Sequence, residues 1–381
     1  DALGGAVNGG EYNVAIGNGT LDALTSGDHN TAIGYNAGSA LTTTANNTFV
    51  GSNSGINATT ADGNTILGSF AVGAGVLTGN NNVVIGKLAG NDMTSAAGNV
   101  LIGEDAGANI TSGDANVVIG QGAGEALTTP SRSIFIGVNA GNDHDTENDN
   151  LGIGHDALTA SIAGGEFNVA VGNYALDAVT SGDNNTAVGY NAATTLSNGS
   201  ANSSFGFEAG KGLTSGSNNT SIGNLAGQSH STGSHCTNLG SGAQPSSNTT
   251  SGQFTLGDGN VSNLRCNDQS ISALSDSRDK TDVIDSPYGL DFINTVRPVQ
   301  FKWETRDGNV KDGSTRLGFL AQELLTACDG NNAVLNLVLE ENPNKLEATY
   351  GNLITPLVKA VQELSATVTT LQQEINTLKG E

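Results

Sequence analysis

Apolar and polar positions recur with a fixed period along the first two thirds of the chain. A glycine follows an apolar residue fifteen times, in steps of 17 residues with two steps of 18. These glycines are Gly17, Gly34, Gly51, Gly68, Gly86, Gly103, Gly120, Gly137, Gly154, Gly172, Gly189, Gly206, Gly223, Gly240 and Gly257. Asn stands four residues before the glycine in twelve copies, and Ala three residues after it in twelve. Such self-similarity is typical of proteins built from stacked structural repeats.

Each repeat contains the parts of one solenoid coil. Segments such as "NTAIG" alternate polar and apolar side chains, which predicts a short strand with one buried face. The glycine allows a tight bend, and "SGD" or "TGN" provides a turn. We therefore expect a parallel β-solenoid of about fifteen coils, roughly 70 Å long at a strand spacing of roughly 4.8 Å. The recurring Asn predicts a ladder of side chains that bond from coil to coil.

The chain also carries a longer duplication. The segment "GGEYNVAIGNGTLDALTSGDHNTAIGYNA" recurs 155 residues later as "GGEFNVAVGNYALDAVTSGDNNTAVGYNA". This spacing equals nine coils, so the repeats multiplied by duplication of a larger block.

The period ends after Gly257, and the composition changes at Ser275, where basic residues and the single Trp appear. The segment "YGLDFINTVRPVQFKW" predicts a helix, a turn and a strand, and "TRLGFLAQELLTACDG" predicts a strand followed by a helix. "AVLNLVLE" and "KLEATY" predict a hairpin. We divide the chain into a solenoid (1–259), a connector (260–274), an α+β domain (275–351) and a C-terminal helix (352–381).

The C-terminal helix has the apolar spacing of a short coiled coil. Its seam residues alternate by three and four positions over about three heptads. They are Val361, Leu364, Val368, Leu371, Ile375 and Leu378. Pro356 suits the first turn of this helix. Packing of a single amphipathic helix against its own domain is the alternative.

Charge and composition exclude several classes of function. The formal net charge is −23, and residues 1–259 contain only three basic side chains. Such a surface repels phosphate backbones, so we expect no nucleic-acid partner. No apolar run reaches the ~18 residues of a membrane span. The absence of an initial Met and of a signal peptide predicts a fragment or a processed product.

No residue set in the coils predicts a metal or cofactor site. The Asp-rich turns lack calcium-loop spacing, so we expect solvated turns. The group His230, His235 and Cys236 lacks a fourth ligand, and we expect an ordinary surface coil there. The three cysteines are widely separated and odd in number, which argues against a disulfide framework. The copies contain no regular Thr-x-Thr column, so we expect no ice-binding face.

Two resemblances follow from these motifs. The "NTAIGYNAG" coils resemble the β-roll of trimeric adhesin heads, which also occurs in bacteriophage tail fibres. The C-terminal part resembles the S74 peptidase family, the intramolecular chaperone domain of phage tail spikes and fibres. The matching segments are "SDSRDK" at 275–280, "FINTVRPVQFKW", "RLGFLAQEL" and "YGNLITPLVKAVQEL".

The second resemblance implies a self-cleaving Ser–Lys pair. It assigns Ser275 as the nucleophile and Lys280 as the general base, with the cut between Leu274 and Ser275. A serine hydroxyl needs a neighbouring base, and a lysine serves as one only when it is neutral. Burial and a nearby positive charge, with Arg278 as the candidate, would favour the neutral amine, whereas Asp276 or Asp279 would oppose it. The "SRDK" spacing also fits the S-x-x-K motif of β-lactamase-like enzymes, but the accompanying S-D-N and K-T-G motifs are missing. The alternative is a polar turn with a surface lysine.

Together the resemblances imply a homotrimeric virion fibre, made in the host cytoplasm, that contacts other tail proteins and a host-cell receptor or glycan. At most, it would be a single-turnover self-cleaving endopeptidase without a cofactor. A cellular trimeric surface adhesin and a tail spike that degrades host polysaccharide are the alternatives.

Overall fold

The structure is a computed structural model that describes residues 1–5, 8–160, 164–261, 263–265, 275–304 and 313–380. The chain separates into two compact units, Asp1–Asp258 and Gly259–Glu381.

The first unit is a parallel β-solenoid, as the repeat predicted. Fifteen strands of three residues form one sheet in sequence order, and each pairs in parallel with the equivalent residues of the next coil. The strands are β1 (Val14–Ile16), β2 (Thr31–Ile33), β3 (Thr48–Val50), β4 (Thr65–Leu67), β5 (Val83–Ile85), β6 (Val100–Ile102), β7 (Val117–Ile119), β8 (Ile134–Ile136), β9 (Leu151–Ile153), β10 (Val169–Val171), β11 (Thr186–Val188), β12 (Ser203–Phe205), β13 (Thr220–Ile222), β14 (Thr237–Leu239) and β15 (Phe254–Leu256).

The buried face of each strand is carried by its middle residue. Ala32, Phe49 and Leu101 are fully buried at this position. The apolar residue before each glycine, which is the most regular apolar position of the repeat, points away from the core. Ile33 is 37% exposed and Leu239 is 40% exposed. Successive side chains of a strand alternate between faces, so the first and third residues share the outer face.

The predicted asparagine ladder is present and lies inside the solenoid. The Oδ1 of Asn82 accepts the backbone N–H of Asn99 at 2.9 Å, and the Oδ1 of Asn99 accepts that of Asn116 at 2.9 Å. The Nδ2 of Asn99 donates to the carbonyl of Gly113 at 2.8 Å. Ser133 occupies one step, where its Oγ accepts the N–H of Asn150 at 3.3 Å. The ladder thus satisfies buried backbone groups that the three-residue strands leave unpaired.

The glycine that follows each of β1 to β13 is required by close contact between coils. Gly103 has φ +137°, and a Cβ there would lie 2.4 Å from the carbonyl oxygen of Gly120. Gly86 and Gly120 have the same geometry toward the next coil. A side chain would therefore separate the coils, as the tight bend inferred from the repeat implied.

The core of the solenoid is narrow and is filled by side chains that compensate for one another in size. Ala at the third position after the glycine is buried in copy after copy, for example Ala89 and Ala140. Where a large ring enters, its neighbours are glycine. Phe135 lies against Gly141 and Gly152, where an added Cβ would come within 2.4 and 3.0 Å of the ring. Dense packing of this kind makes neighbouring coils depend on each other's side-chain volume.

The second unit is a small α+β domain that ends in a long helix. Its elements are α1 (Leu290–Thr295), β16 (Val299–Phe301), β17 (Arg316–Gly318), α2 (Ala321–Ala327), α3 (Asn332–Leu335), β18 (Val338–Leu339), β19 (Glu347–Ala348) and α4 (Ile354–Lys379). β16 pairs antiparallel with β17, and β18 with β19. Its core contains Leu324, Cys328, Leu337, Val338 and Leu353.

Most of the predicted elements of this unit are present, with one correction. The hairpin exists, but its first strand is shorter than "AVLNLVLE" predicted. Ala333 and Leu335 lie in α3, which ends at Asn336 in the left-handed conformation with φ 46°. Asn tolerates this conformation better than most residues, so it ends the helix before the strand can begin.

The helix α4 begins two residues before Pro356, which lies in its first turn as expected. Among the described residues, no helix combines the length and the apolarity needed to cross a membrane.

Candidate functional site

The segment that follows the connector forms a compact turn. Residues Ser277–Asp279 make one turn of 3₁₀ helix, and the carboxylate of Asp276 caps it by accepting the N–H of Arg278 at 2.9 Å. Asp is a favoured helix N-cap because its oxygen satisfies a backbone donor that the first turn leaves free. This local turn brings residues 275 and 280 to the same side of the segment.

The turn places the two residues of the proposed Ser–Lys pair in direct contact. The Nζ of Lys280 lies 2.6 Å from the Oγ of Ser275 and donates to it. This separation is within the range expected of a nucleophile and its base. Proton transfer from serine requires the opposite arrangement, in which a neutral amine accepts the hydroxyl proton.

The neighbouring charges are arranged differently from the expectation. Arg278 forms an ion pair with Asp276, with its Nε 3.0 Å from Oδ1. The Arg278 guanidinium holds the pKa of the Asp276 carboxyl below its usual value. The positive charge of Arg278 is therefore compensated within the turn, and it does not act on Lys280 as the free cation that the sequence suggested. The same pair directs the Asp276 carboxylate to Arg278.

The whole turn is exposed in the single chain. Ser275, Lys280 and the four residues between them are all on the surface. The amine of Lys280 is therefore exposed to water, without the burial that would favour a neutral lysine. Oxyanion stabilisation also depends on donors held in a site that excludes water. The distance between Ser275 and Lys280 thus suits a catalytic pair, but in the single chain the pair is not shielded from water. Leu274, the other side of the predicted cut, lies outside the described residues.

The domain behind the turn is tied together at three points. Glu363 of α4 accepts the N–H of Leu290 at 2.7 Å and so caps α1. The hydroxyl of Tyr350 accepts the N–H of Phe319 at 3.1 Å and donates to the carbonyl of Phe319 at 3.2 Å. Arg297 pairs with Glu323. These contacts join "FINTVRPVQFKW", "RLGFLAQEL" and "YGNLITPLVKAVQEL", the segments on which the resemblance rested.

The acidic turns of the solenoid have a structural task. Asp28 accepts the N–H of Glu11 at 2.7 Å, and Asp114 accepts that of Ala97 at 2.7 Å. Each carboxylate thus bonds to the coil before it, which is a more specific role than the solvated turn expected from sequence. No group of three His, Cys, Asp or Glu side chains that could hold a metal ion occurs among the described residues.

The His230–Cys236 region differs from the expected surface coil. His230 and Cys236 are buried, whereas His235 is exposed. The Nε2 of His230 lies 3.1 Å from the carbonyl oxygen of Thr250, and the Sγ of Cys236 lies 3.2 Å from the same oxygen. Both side chains therefore help to satisfy a buried carbonyl near the end of the solenoid.

Sequence reasoning did not identify the outward-facing apolar column of the strands. The repeat contains a signal for it: the ladder Asn and the middle strand residue are two positions apart, so they share the buried face. The residue before the glycine must then lie on the opposite face.

Comparison with known proteins identifies one part of the chain. No curated protein and no solved structure matches it. Residues 275–335 match the peptidase S74 family, which is described as a chaperone of endosialidase. The match begins at Ser275 and covers the 3₁₀ turn, α1 and α2, so this segment is similar to the chaperone domain of a family associated with phage tail proteins.

Proposed function

We propose that this protein is a homotrimeric fibre of a phage virion that attaches the particle to its host. Its C-terminal unit would act as an intramolecular chaperone that assembles three chains. The observation that carries the proposal is the combination of a fifteen-strand solenoid with a chaperone-of-endosialidase segment that starts at Ser275.

The apolar surface of the C-terminal unit supports an assembly role. The seam residues of α4 are largely exposed in the single chain, with Val361 at 64% and Leu378 at 86%. Outside this helix, Ile284 is 82% exposed and Leu317 is 81% exposed. Exposed apolar groups of this kind support a surface that another chain would cover. A coiled coil of three α4 helices would bury the seam.

We propose further that assembly activates the Ser275–Lys280 pair. A partner chain that covers the exposed turn would remove water from Lys280 and favour its neutral form. The Oγ of Ser275 would then lose its proton to Nζ and attack the carbonyl carbon of Leu274. The amide nitrogen of Ser275 would leave with that proton, and water would release the acyl group of Leu274 from the serine oxygen. The cut would release the chaperone from the fibre. Without the chaperone, the assembled fibre would unfold and dissociate only slowly.

The cleavage proposal is tested by the intact mass of denatured protein. Freshly expressed wild type is predicted to yield fragments 1–274 and 275–381. The variants Ser275→Ala and Lys280→Ala are predicted to remain whole, and Ser277→Ala, in the same turn, should cleave like wild type. A wild-type trimer that stays whole would contradict the assigned roles and leave the C-terminal unit as a permanent cap.

Attachment is tested by binding of the labelled protein to host cells. Competition by isolated surface glycan would support recognition of a receptor. A rod that binds no host cell would be a structural spacer. Release of oligosaccharides from the glycan would instead support the polysaccharide-degrading alternative.

A further inference from the structure

One surface of the solenoid carries no charge along its whole length. We call it the strand face: the outward-pointing first and third residues of β1–β15. The third residue is apolar in all fifteen strands, and the first is Val, Ile, Leu, Phe, Thr or Ser. In contrast, charged side chains lie close by on the same coils, such as Lys87, which pairs with Glu104 two residues beyond β5 and β6. The absence of charge is therefore a property of this face and not of the coils.

The strand face is divided into zones. From β5 to β10 both columns are aliphatic, which gives a continuous patch six strands wide. Its residues are Val83, Ile85, Val100, Ile102, Val117, Ile119, Ile134, Ile136, Leu151, Ile153, Val169 and Val171. On both sides of the patch the first column changes to hydroxyl residues, Thr31 to Thr65 before it and Thr186 to Thr237 after it. Soluble proteins rarely leave an aliphatic patch of this extent uncovered.

We propose that the strand face is the surface on which further copies of this chain pack, side by side and in the same direction. Depletion of charge with retention of apolar groups is typical of the core of a protein interface. The occupant must match a spacing of one strand per coil over fifteen coils, and a second solenoid of this chain has that spacing and that length. This inference rests on the proposed trimer for the number of copies, and it adds where the solenoids touch.

The zones also favour one alignment. In register, the aliphatic patches of neighbouring copies cover each other and the Thr columns meet. A shift of several coils would place valine and isoleucine against threonine and would leave the end of each patch in water. A shift of one coil changes little, because adjacent coils of the patch are nearly equivalent. The strand face thus rejects large slips, and the last step of alignment falls to the C-terminal unit.

Cross-linking of single cysteines in the full-length chain tests the packing. In a Cys266→Ser background, Ile119→Cys on the strand face is compared with Asn109→Cys, an exposed residue elsewhere on the coil. A short bis-maleimide is predicted to link Ile119→Cys chains in pairs on a denaturing gel and to leave Asn109→Cys chains and the background unlinked. Equal linking at both sites, or none at Ile119→Cys, would overturn the proposal.

The direction and register are tested by mixing two tagged variants during expression. Ile33→Cys in β2 and Leu239→Cys in β14 are far apart in parallel, in-register copies, so each is predicted to link only to its own kind. Links between the two variants would overturn the parallel arrangement. Native mass of the same samples separates this inference from the trimer itself: a trimer without Ile119→Cys links would refute only the strand-face contact, whereas a monomer would refute both.

Discussion

At the scale of single residues, the solenoid is held together by side chains that serve the next coil. Each ladder Asn accepts the backbone N–H of the ladder residue in the following coil and donates to a carbonyl three residues before that residue, as Asn99 does with Asn116 and Gly113. Leaving a buried donor or acceptor without a partner costs about 1–3 kcal/mol. A chain of such bonds explains why this position varies so little among the copies.

Replacement of a ladder residue tests this role. Asn99→Ala removes the partners of the Asn116 N–H and the Gly113 carbonyl, and we expect a loss of about 2–4 kcal/mol of unfolding free energy. Asn109→Ala, at an exposed position, is expected to change stability by less than about 0.5 kcal/mol. Chemical denaturation followed by circular dichroism measures both, and equal effects would contradict the ladder.

The glycine column gives a second comparison. Gly103→Ala would place a Cβ 2.4 Å from a backbone oxygen, whereas at Gly98 the nearest atom is 4.0 Å away. Both have positive φ, +137° at Gly103 and +67° at Gly98, so the backbone disfavours a side chain at each position. We expect Gly103→Ala to lower the denaturation midpoint well beyond Gly98→Ala. Similar denaturation midpoints for the two variants would show that close contact between coils is not the reason for glycine at position 103.

His144 predicts a dependence of stability on pH. It is fully buried against Phe135, and burial lowers its pKa from 6.5 to about 3. The unfolded chain therefore binds a proton that the folded chain excludes below pH 6.5. This contribution to stability is complete above pH 6.5 and falls by at most about 1.4 kcal/mol per pH unit as the pH drops toward 3. Burial also lowers the pKa of His230, which acts in the same direction.

Denaturation at pH 7.5 and pH 5 measures this dependence. The variant His144→Leu is expected to lose less stability between the two pH values than wild type. An identical loss in both proteins would exclude His144 as a source.

At the scale of elements, periodicity was sufficient for the strands and the long helix. The 17-residue spacing predicted fifteen coils, and the three–four spacing predicted the helix that the structure has at Ile354–Lys379. Such patterns repeat one physical requirement many times, so single exceptions such as Ser133 do not obscure them. The short helix Asn332–Leu335 was missed because four residues carry no period.

The sequence was sufficient to predict that Ser275 and Lys280 lie close together, but not which side chains surround them. The spacing of Ser275 and Lys280 fits a single turn, and the turn brings them to 2.6 Å. The Arg278–Asp276 pair depends on side-chain geometry that the sequence leaves open, because either Asp276 or Asp279 could have met the arginine. The capping of α1 by Glu363 joins residues 73 positions apart, which no local pattern encodes.

The seam of α4 is expected to carry part of the assembly. Leu371 is 50% exposed and lies in the middle of the seam, so Leu371→Asp would place charges against one another in a three-helix contact. We expect this variant to lower the native mass from trimer to monomer. Gln373→Asp introduces the same charge at an exposed position off the seam and should remain trimeric. A trimeric Leu371→Asp protein would show that α4 is not needed for assembly.

At the scale of the whole molecule, each of the two units has surfaces that a single chain leaves exposed. The solenoid has an uncharged face whose neighbouring registers are nearly equivalent, and the C-terminal unit has exposed apolar groups and an exposed Ser275–Lys280 contact. Trimer formation would cover the uncharged face and the exposed apolar groups, align the coils, and enclose the turn that holds Ser275 and Lys280. Cleavage would then be a consequence of correct assembly, since on this proposal the pair would act only after a neighbouring chain excludes water.

The most direct test measures cleavage and assembly in the same sample. Freshly refolded wild type is separated by size at successive times, and each fraction is denatured for intact mass. We predict whole chains of 381 residues in the monomer fraction, fragments 1–274 and 275–381 in the trimer fraction, and no cleavage in Leu371→Asp monomers. Fragments in the monomer fraction would contradict activation by assembly, and whole chains in a stable wild-type trimer would contradict the Ser275–Lys280 mechanism.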